Sequence, residues 1–235
     1  LKNNYTKLGP IKIGQFAKNP FHFNPFLEKK IFSRLFNSLR KNQKDKFRPV
    51  LNIYFTSFFN FLLNYKNFKD KKEYIISFLP RFIFYKKNID IFFKAYPKSY
   101  IIIIIRDPEH WLNSAKIIFK NKNSKYLLNE WNNNLNLALR LKKKYKKQIL
   151  LVSFLNLKNN TKKTMFKICK KIKIKYYPSL NSPTFNGFSL QSNSSHRIIY
   201  GKIDRDKNLK NFSNNEKLIL KIFSKKFKNI YKKLI

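Results

Sequence analysis

Five consecutive isoleucines, Ile101–Ile105, preceded by Tyr100 and followed by Arg106-Asp107-Pro108, constrain the fold of this chain more than any other stretch. β-Branched side chains crowd a helix but suit a pleated strand. A run of them without polar alternation predicts a strand buried on both faces of a parallel sheet. The run also ends sharply. Asp107 is a good N-cap and Pro108 suits the first helical position, so a helix should follow from Pro108 to about Lys120. The pattern then repeats. A helix is expected over 124–146, with Leu127, Leu128, Trp131, Leu135, Ala138 and Leu139 on its apolar face, then a second buried strand over 148–154 and a helix over 161–173. The last helix opens with the capping box Ser213-Asn214-Asn215-Glu216 and should reach the C-terminus. Strands alternating with helices place the chain in the α/β class with a parallel sheet.

The first hundred residues are less regular. Asn19-Pro20-Phe21 and Asn24-Pro25-Phe26 read as turns, followed by a helix with Leu27, Ile31, Leu35 and Leu39 on one face. A charged connector over 41–50 leads to a second helix over 54–65. Tyr74–Leu79 is a strand candidate ended by Pro80, and 88–95 fits a short helix. Residues 176–212 concentrate loop signals, including Pro178, Pro183, Gly187 and Gly201. The length of 235 residues suits one α/β domain covering 1–235. The apolar runs fall short of a membrane span.

Basic residues exceed acidic ones by 52 to 11, a formal charge of +41. Such an excess ordinarily points to nucleic acid or an anionic membrane. Here, however, Lys outnumbers Arg by 44 to 8, and Lys, Asn, Ile, Phe and Tyr supply 139 of the 235 residues. All five have codons beginning with two A or T bases, so a genome poor in G and C produces this bias without a polyanionic partner. The basic residues are also dispersed along the chain instead of forming a stripe. No specific nucleic-acid partner is therefore expected, although the field would draw in an anionic nucleotide. Cys169 is the only cysteine. It shares an apolar helical spacing with Met165, Phe166 and Ile172, which predicts a small buried hydrophobe and a reducing, cytoplasmic setting. No Cys/His cluster can be assembled with His22, His110 and His196, and no metal is expected.

Ligands of open parallel sheets bind beyond the carboxyl ends of the strands. Arg106 stands at such an end, where its guanidinium can fork onto a phosphate. Ser114, eight residues on, can add a hydroxyl donor to the same anion if the helix folds back beside the strand. Alternatively, Arg106 forms a surface ion pair and Ser114 is a neutral helix residue.

The ordered set Tyr96-Pro97, Ile101–Ile105, Arg106-Asp107-Pro108 and Ser114 resembles the segment that binds the 3′-phosphate in sulfotransferases dependent on 3′-phosphoadenosine 5′-phosphosulfate (PAPS). The similarity continues through Trp131, the strand ending at Phe154 with Asn156-Leu157, the loop Pro178–His196 and the closing helix, spanning about 74–235. It implies a P-loop-like three-layer fold, with a central parallel sheet flanked by helices. It also implies transfer of a sulfonate from PAPS to a hydroxyl or amine acceptor such as a carbohydrate, with Arg106 and Ser114 on the 3′-phosphate and Phe154 against the adenine. Asn193, Ser194, Ser195 and Arg197 become binding candidates for nucleotide or acceptor, set against a plain turn in an Asn-rich chain; Lys202 and Arg205 could add phosphate contacts, although one lysine among 44 is not singled out.

The departures are specific. The family's Gly- and Ser/Thr-rich turn that cradles the 5′-phosphosulfate has no match, since Gly9 and Gly14 flank Pro10-Ile11-Lys12-Ile13. The chain opens on Leu1, and we expect a fragment lacking the first strand and the phosphosulfate loop, inactive as it stands. Phe154 and Leu155 replace a Tyr and a Glu of the family pattern. Ser77, Phe78 and Leu79 stand before Pro80, where bacterial relatives often carry a charged pair. The transfer needs a general base. Glu73, Glu28, His22 and His110 are the candidates, each weighed against a solvated or structural role. Three other readings stay open: a catalytically degenerate relative that keeps the fold, a basic nucleic-acid-binding protein, and a nucleotide kinase of related architecture.

Overall fold

The two strands of the main sheet run parallel in a register that pairs Ile101 with Ile149 and Ile105 with Ser153. They are seen in a computed structural model that describes residues 25–41, 52–55, 74–77, 79, 82–182, 184–185, 188–189, 212–232 and 234–235. The chain divides into two compact units, Leu1–Leu79 with Leu190–Ile198, and Pro80–Ser189 with Ile199–Ile235. In the first unit, helix α1 spans Pro25–Lys41, and residues 52–55 form a helical turn. The Phe32 and Tyr54 rings meet edge to face at 5.2 Å. The expected helix over 54–65 otherwise lies outside the described residues. Residues 74–77 are not the expected strand. They carry no regular structure, and Ile76 is 91% exposed. Apolar composition supplies no ladder partner, and without one an extended segment does not become a strand.

The second unit is an α/β assembly. A 3₁₀ turn at Phe82–Phe84 precedes α2 (Lys86–Ala95), β1 (Ile101–Ile105), α3 (Pro108–Ile118), α4 (Ser124–Lys144) and β2 (Ile149–Ser153). Then come α5 (Phe154–Asn159), α6 (Thr161–Ile172), a 3₁₀ turn at Pro178–Asn181, the two-residue strands β3 (Thr184–Phe185) and β4 (Phe188–Ser189), and α7 (Asn214–Tyr231). β3 and β4 pair antiparallel, Phe185 opposite Phe188.

β2 is buried at all five positions, as its apolar run predicts. β1 is not. Ile102 and Ile104 are 43% and 55% exposed, while Ile105 is buried. Side chains alternate across a strand, so one face of β1 joins the core and the other meets no covering layer among the described residues. The expectation of a strand buried on both faces is corrected accordingly. The main core gathers Ile89 and Phe93 of α2, Ile105, Ile149 and Leu151 of the sheet, Trp131, Leu135 and Leu141 of α4, and Phe227 of α7. Each such side chain removed from water contributes roughly 1.5–3 kcal/mol. Cys169 is 1% exposed, and burial raises its thiol pKa.

The helix ends follow local chemistry. Asn123 Oδ1 accepts the Tyr126 N–H at 2.7 Å to start α4. At the other end, Lys142 Nζ donates to the carbonyls of Lys146 and Ile149, both at 2.6 Å, joining the helix to the first residue of β2. Ser153 ends β2 and also caps α5, its Oγ accepting the Asn156 N–H at 3.2 Å. Phe154 is therefore the first helical residue and not the last strand residue expected. α7 stops at Tyr231, short of the expected C-terminal end. Beyond it, the Ile235 N–H donates to Leu151 O and the Ser153 N–H to Ile235 O, both at 3.0 Å, so Ile235 pairs along the edge of β2 away from β1.

The capping box of α7 is present, with Ser213 and Glu216 exchanging side chain-to-backbone bonds. Glu216 does more. Its Oε1 accepts from Lys116 Nζ of α3 at 2.5 Å and from the Ser124 hydroxyl of α4. Burial works against its ionisation, but the bonds from Lys116, Ser124 and the Ser213 N–H prevail and lower its pKa from 4.5 to about 2. A carboxylate depressed in the folded state stabilises the fold above its unfolded pKa, and that contribution is lost as pH falls through the folded value. Glu216→Gln should therefore cost about 1–2 kcal/mol at pH 7, a difference that shrinks between pH 4.5 and 2 in chemical denaturation. A penalty independent of pH across that window would contradict the account.

Candidate anion-binding site

The register of the sheet creates the site. Ile105 pairs with Ser153 as the last rung of the ladder, so the next residue of each strand, Arg106 and Phe154, emerges beside the other. Adjacent strands lie about 4.8 Å apart. The Arg106 Cζ accordingly stands 5.1 Å from the centroid of the Phe154 ring. A guanidinium over an aromatic face is held by the ring quadrupole, and its planar nitrogens can still hydrogen-bond in its own plane.

Asp107 starts the return helix. Its backbone is extended, with φ −61° and ψ 155°, and its Oδ1 accepts the His110 N–H at 2.9 Å. Pro108 takes the first helical position, where its missing N–H costs nothing. Two turns into α3, Ser114 faces back to the strand end, and Arg106 Nη1 donates to Ser114 Oγ at 2.9 Å. The hydroxyl accepts this bond and keeps its own proton to donate. A guanidinium fork and a hydroxyl donor thus stand within one hydrogen bond of each other at the carboxyl edge of a parallel sheet.

One further group, Trp131, is not placed in the site by the sequence. Trp131 of α4 is 5% exposed, and its indole Nε1–H donates to the Arg106 carbonyl at 3.0 Å. The signal was a lone tryptophan on an apolar helix face, whose N–H needs a buried acceptor. The Phe154–Arg106 contact was latent in the lengths of the two strand runs, but needed their register. His110 lies in the same junction, with Nδ1 2.7 Å from Asp107 Oδ1.

The structure brings Arg106, Ser114 and Phe154 together, with His110 one helical turn away along α3. The remaining candidates are not in this group. His22, Glu73, Asn193, Ser194, Ser195, Arg197, Lys202 and Arg205 lie outside the described residues, and Glu28 is placed only as a position on α1. A hollow of about 450 Å³ at the start of α6, between Asn159–Lys163, Phe166 and Tyr176, shares no lining residue with the Arg106 group. Among the described residues, no cluster of three or more His, Cys, Asp or Glu could hold a metal ion. None of the helices described is long and apolar enough to cross a membrane.

Removing the Asp107 carboxylate deletes the cap of α3. Asp107→Ala should destabilise the fold by about 1 kcal/mol in urea denaturation, whereas an unchanged midpoint would show that Pro108 alone is enough to start the helix.

The chain matches the family model described as "Sulfotransferase family" over residues 15–178, well over half its length. That span includes Arg106, Ser114, Trp131 and Phe154, and it stops at the start of the loop and closing-helix similarities noted above. No curated protein and no solved structure matches the chain.

Proposed function

We propose, for a chain that belongs to the sulfotransferase family, that the donor is PAPS and that Arg106 and Ser114 hold its 3′-phosphate. The observation that carries this reading is the 2.9 Å bond between Arg106 Nη1 and Ser114 Oγ at the end of β1. The donor set fits a phosphate: a charged fork and a hydroxyl, with charge-assisted bonds available to an anion. The bound donor would supply an activated sulfonate, which passes to a hydroxyl or amine as the bond to the adenosine bisphosphate breaks. The part played by this chain's residues is positional. Arg106 and Ser114 anchor one end of the nucleotide, and the Phe154 ring holds the guanidinium and offers an apolar surface for adenine. Phe154 has no hydroxyl, so any contact with the base is stacking only.

The acceptor proton must go to a base, for which His110, His22, Glu73 and Glu28 remain the candidates. His110 has its Nδ1 against Asp107, an arrangement that orients an imidazole. Asn193, Ser194, Ser195 and Arg197 are proposed as further nucleotide or acceptor contacts. We also propose that 1–235 is one sulfotransferase-like domain, that β1 and β2 belong to the central sheet of a P-loop-like three-layer fold, that the setting is cytoplasmic and that the acceptor is a carbohydrate or similar alcohol or amine. A second reading, a relative that keeps the fold and the nucleotide site but not the transfer, is favoured by Phe154 and Leu155 in place of the family's Tyr and Glu.

Calorimetry with adenosine 3′,5′-bisphosphate tests the site. We expect micromolar binding, weakened by about 1.5–3 kcal/mol in Arg106→Ala and by about 1 kcal/mol in Ser114→Ala. Adenosine 5′-monophosphate, which lacks the 3′-phosphate, should bind wild type no better than the bisphosphate binds Arg106→Ala. Equal affinity of wild type and Arg106→Ala would remove Arg106 from the site. Loose binding with a steep salt dependence and no preference for the bisphosphate would favour a nucleic-acid-binding protein. Tight nucleotide binding without sulfonate transfer would favour the degenerate relative.

A further inference from the structure

The Arg106 carbonyl is the first beyond the β1–β2 ladder, which ends at Ile105 and Ser153. A backbone carbonyl at a strand-to-helix junction needs a donor, and here the donor comes from 25 residues away, the Trp131 indole. That indole is itself held. It is 5% exposed, and α7 sets two rings edge-on against it, Phe223 at 6.2 Å and Phe227 at 6.1 Å. Lys226 on α7, between those two phenylalanines, donates to Asn132 Oδ1 at 2.5 Å and Asn136 Oδ1 at 2.9 Å on α4, which pins the two helices together. The chain of contacts runs from α7 through Trp131 to the backbone of the residue whose side chain meets Ser114.

We propose that Trp131 is a positioning residue for nucleotide binding: its Nε1–H holds the Arg106 backbone so that the guanidinium is already aimed at Ser114 before the anion arrives. This rests on the assignment of Arg106 to the 3′-phosphate. A rotation of one peptide unit at the junction would swing the long Arg106 side chain off both the hydroxyl and the Phe154 ring. A fixed carbonyl lowers the ordering cost that binding must otherwise meet. The indole does not itself touch the ligand. Trp131→Phe keeps an aromatic ring in the core and removes the donor.

The test is a double-mutant cycle read by calorimetry with adenosine 3′,5′-bisphosphate, using wild type, Trp131→Phe, Arg106→Ala and the double variant. Trp131→Phe should weaken binding roughly three- to tenfold, the range for one hydrogen bond. In the Arg106→Ala background the same change should have no further effect, because there is no guanidinium left to aim. A merely structural role would lower thermal stability while leaving affinity per folded molecule unchanged, and that result overturns the inference while the Arg106 site stands. Additive losses overturn it too, since the indole would then act by another route. If Arg106→Ala binds like wild type, the underlying site and this inference fall together. Should Trp131→Phe not fold, nuclear magnetic resonance on the intact chain decides, with the indole signal assigned against Trp111→Phe. The Trp131 Nε1–H should already be protected from exchange with water in the free protein and stay so as the bisphosphate is added, and an indole N–H that exchanges freely until the bisphosphate binds overturns the proposal.

Discussion

The parallel pairing of β1 with β2 governs everything around it. With Ile105 opposite Ser153, the two strands finish level, and three consequences follow from that one alignment. Arg106 emerges beside Phe154. Ser153 is free to end a strand and cap a helix at once. The carbonyl of Arg106 falls where the Trp131 indole can reach it. Slipping the register by one residue would invert every side chain on β1, place Ile101, Ile103 and Ile105 away from the core, and part the guanidinium from its ring.

Charge in this molecule is used locally even though its total is extreme. A carboxylate is scarce, with 11 in the chain against 52 basic residues, and two of those described join several elements. Glu216 ties α3, α4 and the start of α7 through Lys116, Ser124 and Ser213. Asp90 of α2 takes the Tyr145 hydroxyl and the Lys144 ammonium at the end of α4. The Lys142 pKa is lowered by burial and then by Lys171, while the ammonium donates to two carbonyls. Among the described residues, backbone carbonyls and side-chain amides also receive ammonium groups, as those of Lys142 and Lys226 show.

What was legible in the sequence is what is decided within a few residues. The N-cap of Asp107, the proline after it, the capping box at Ser213 and the apolar face of α4 all rest on bonds or spacings confined to one helix. What could not be read depends on partners distant along the chain. Five isoleucines specify a strand, but whether Ile102 and Ile104 are covered is set by other elements. Tyr74–Ser77 has strand composition and no ladder. Phe154 reads as strand because nothing in its neighbourhood announces that Ser153 will serve as a cap. Within the candidate site, Arg106 and Ser114 follow from spacing and family resemblance, whereas the place of Trp131 rests on how α4 packs beneath the junction.

The placement of Arg106 over the Phe154 ring has a bearing on which residues position 106 can accept. Basic residues in the chain are Lys 44 times and Arg 8 times, the bias expected of a genome poor in G and C. At most positions the exchange is nearly silent, since a solvated ammonium and a solvated guanidinium do similar work. Codon 106 is different. An ammonium has no plane to lay over a ring while donating sideways to a hydroxyl, so a lysine at 106 would lose the arrangement that sets Arg106 between Phe154 and Ser114.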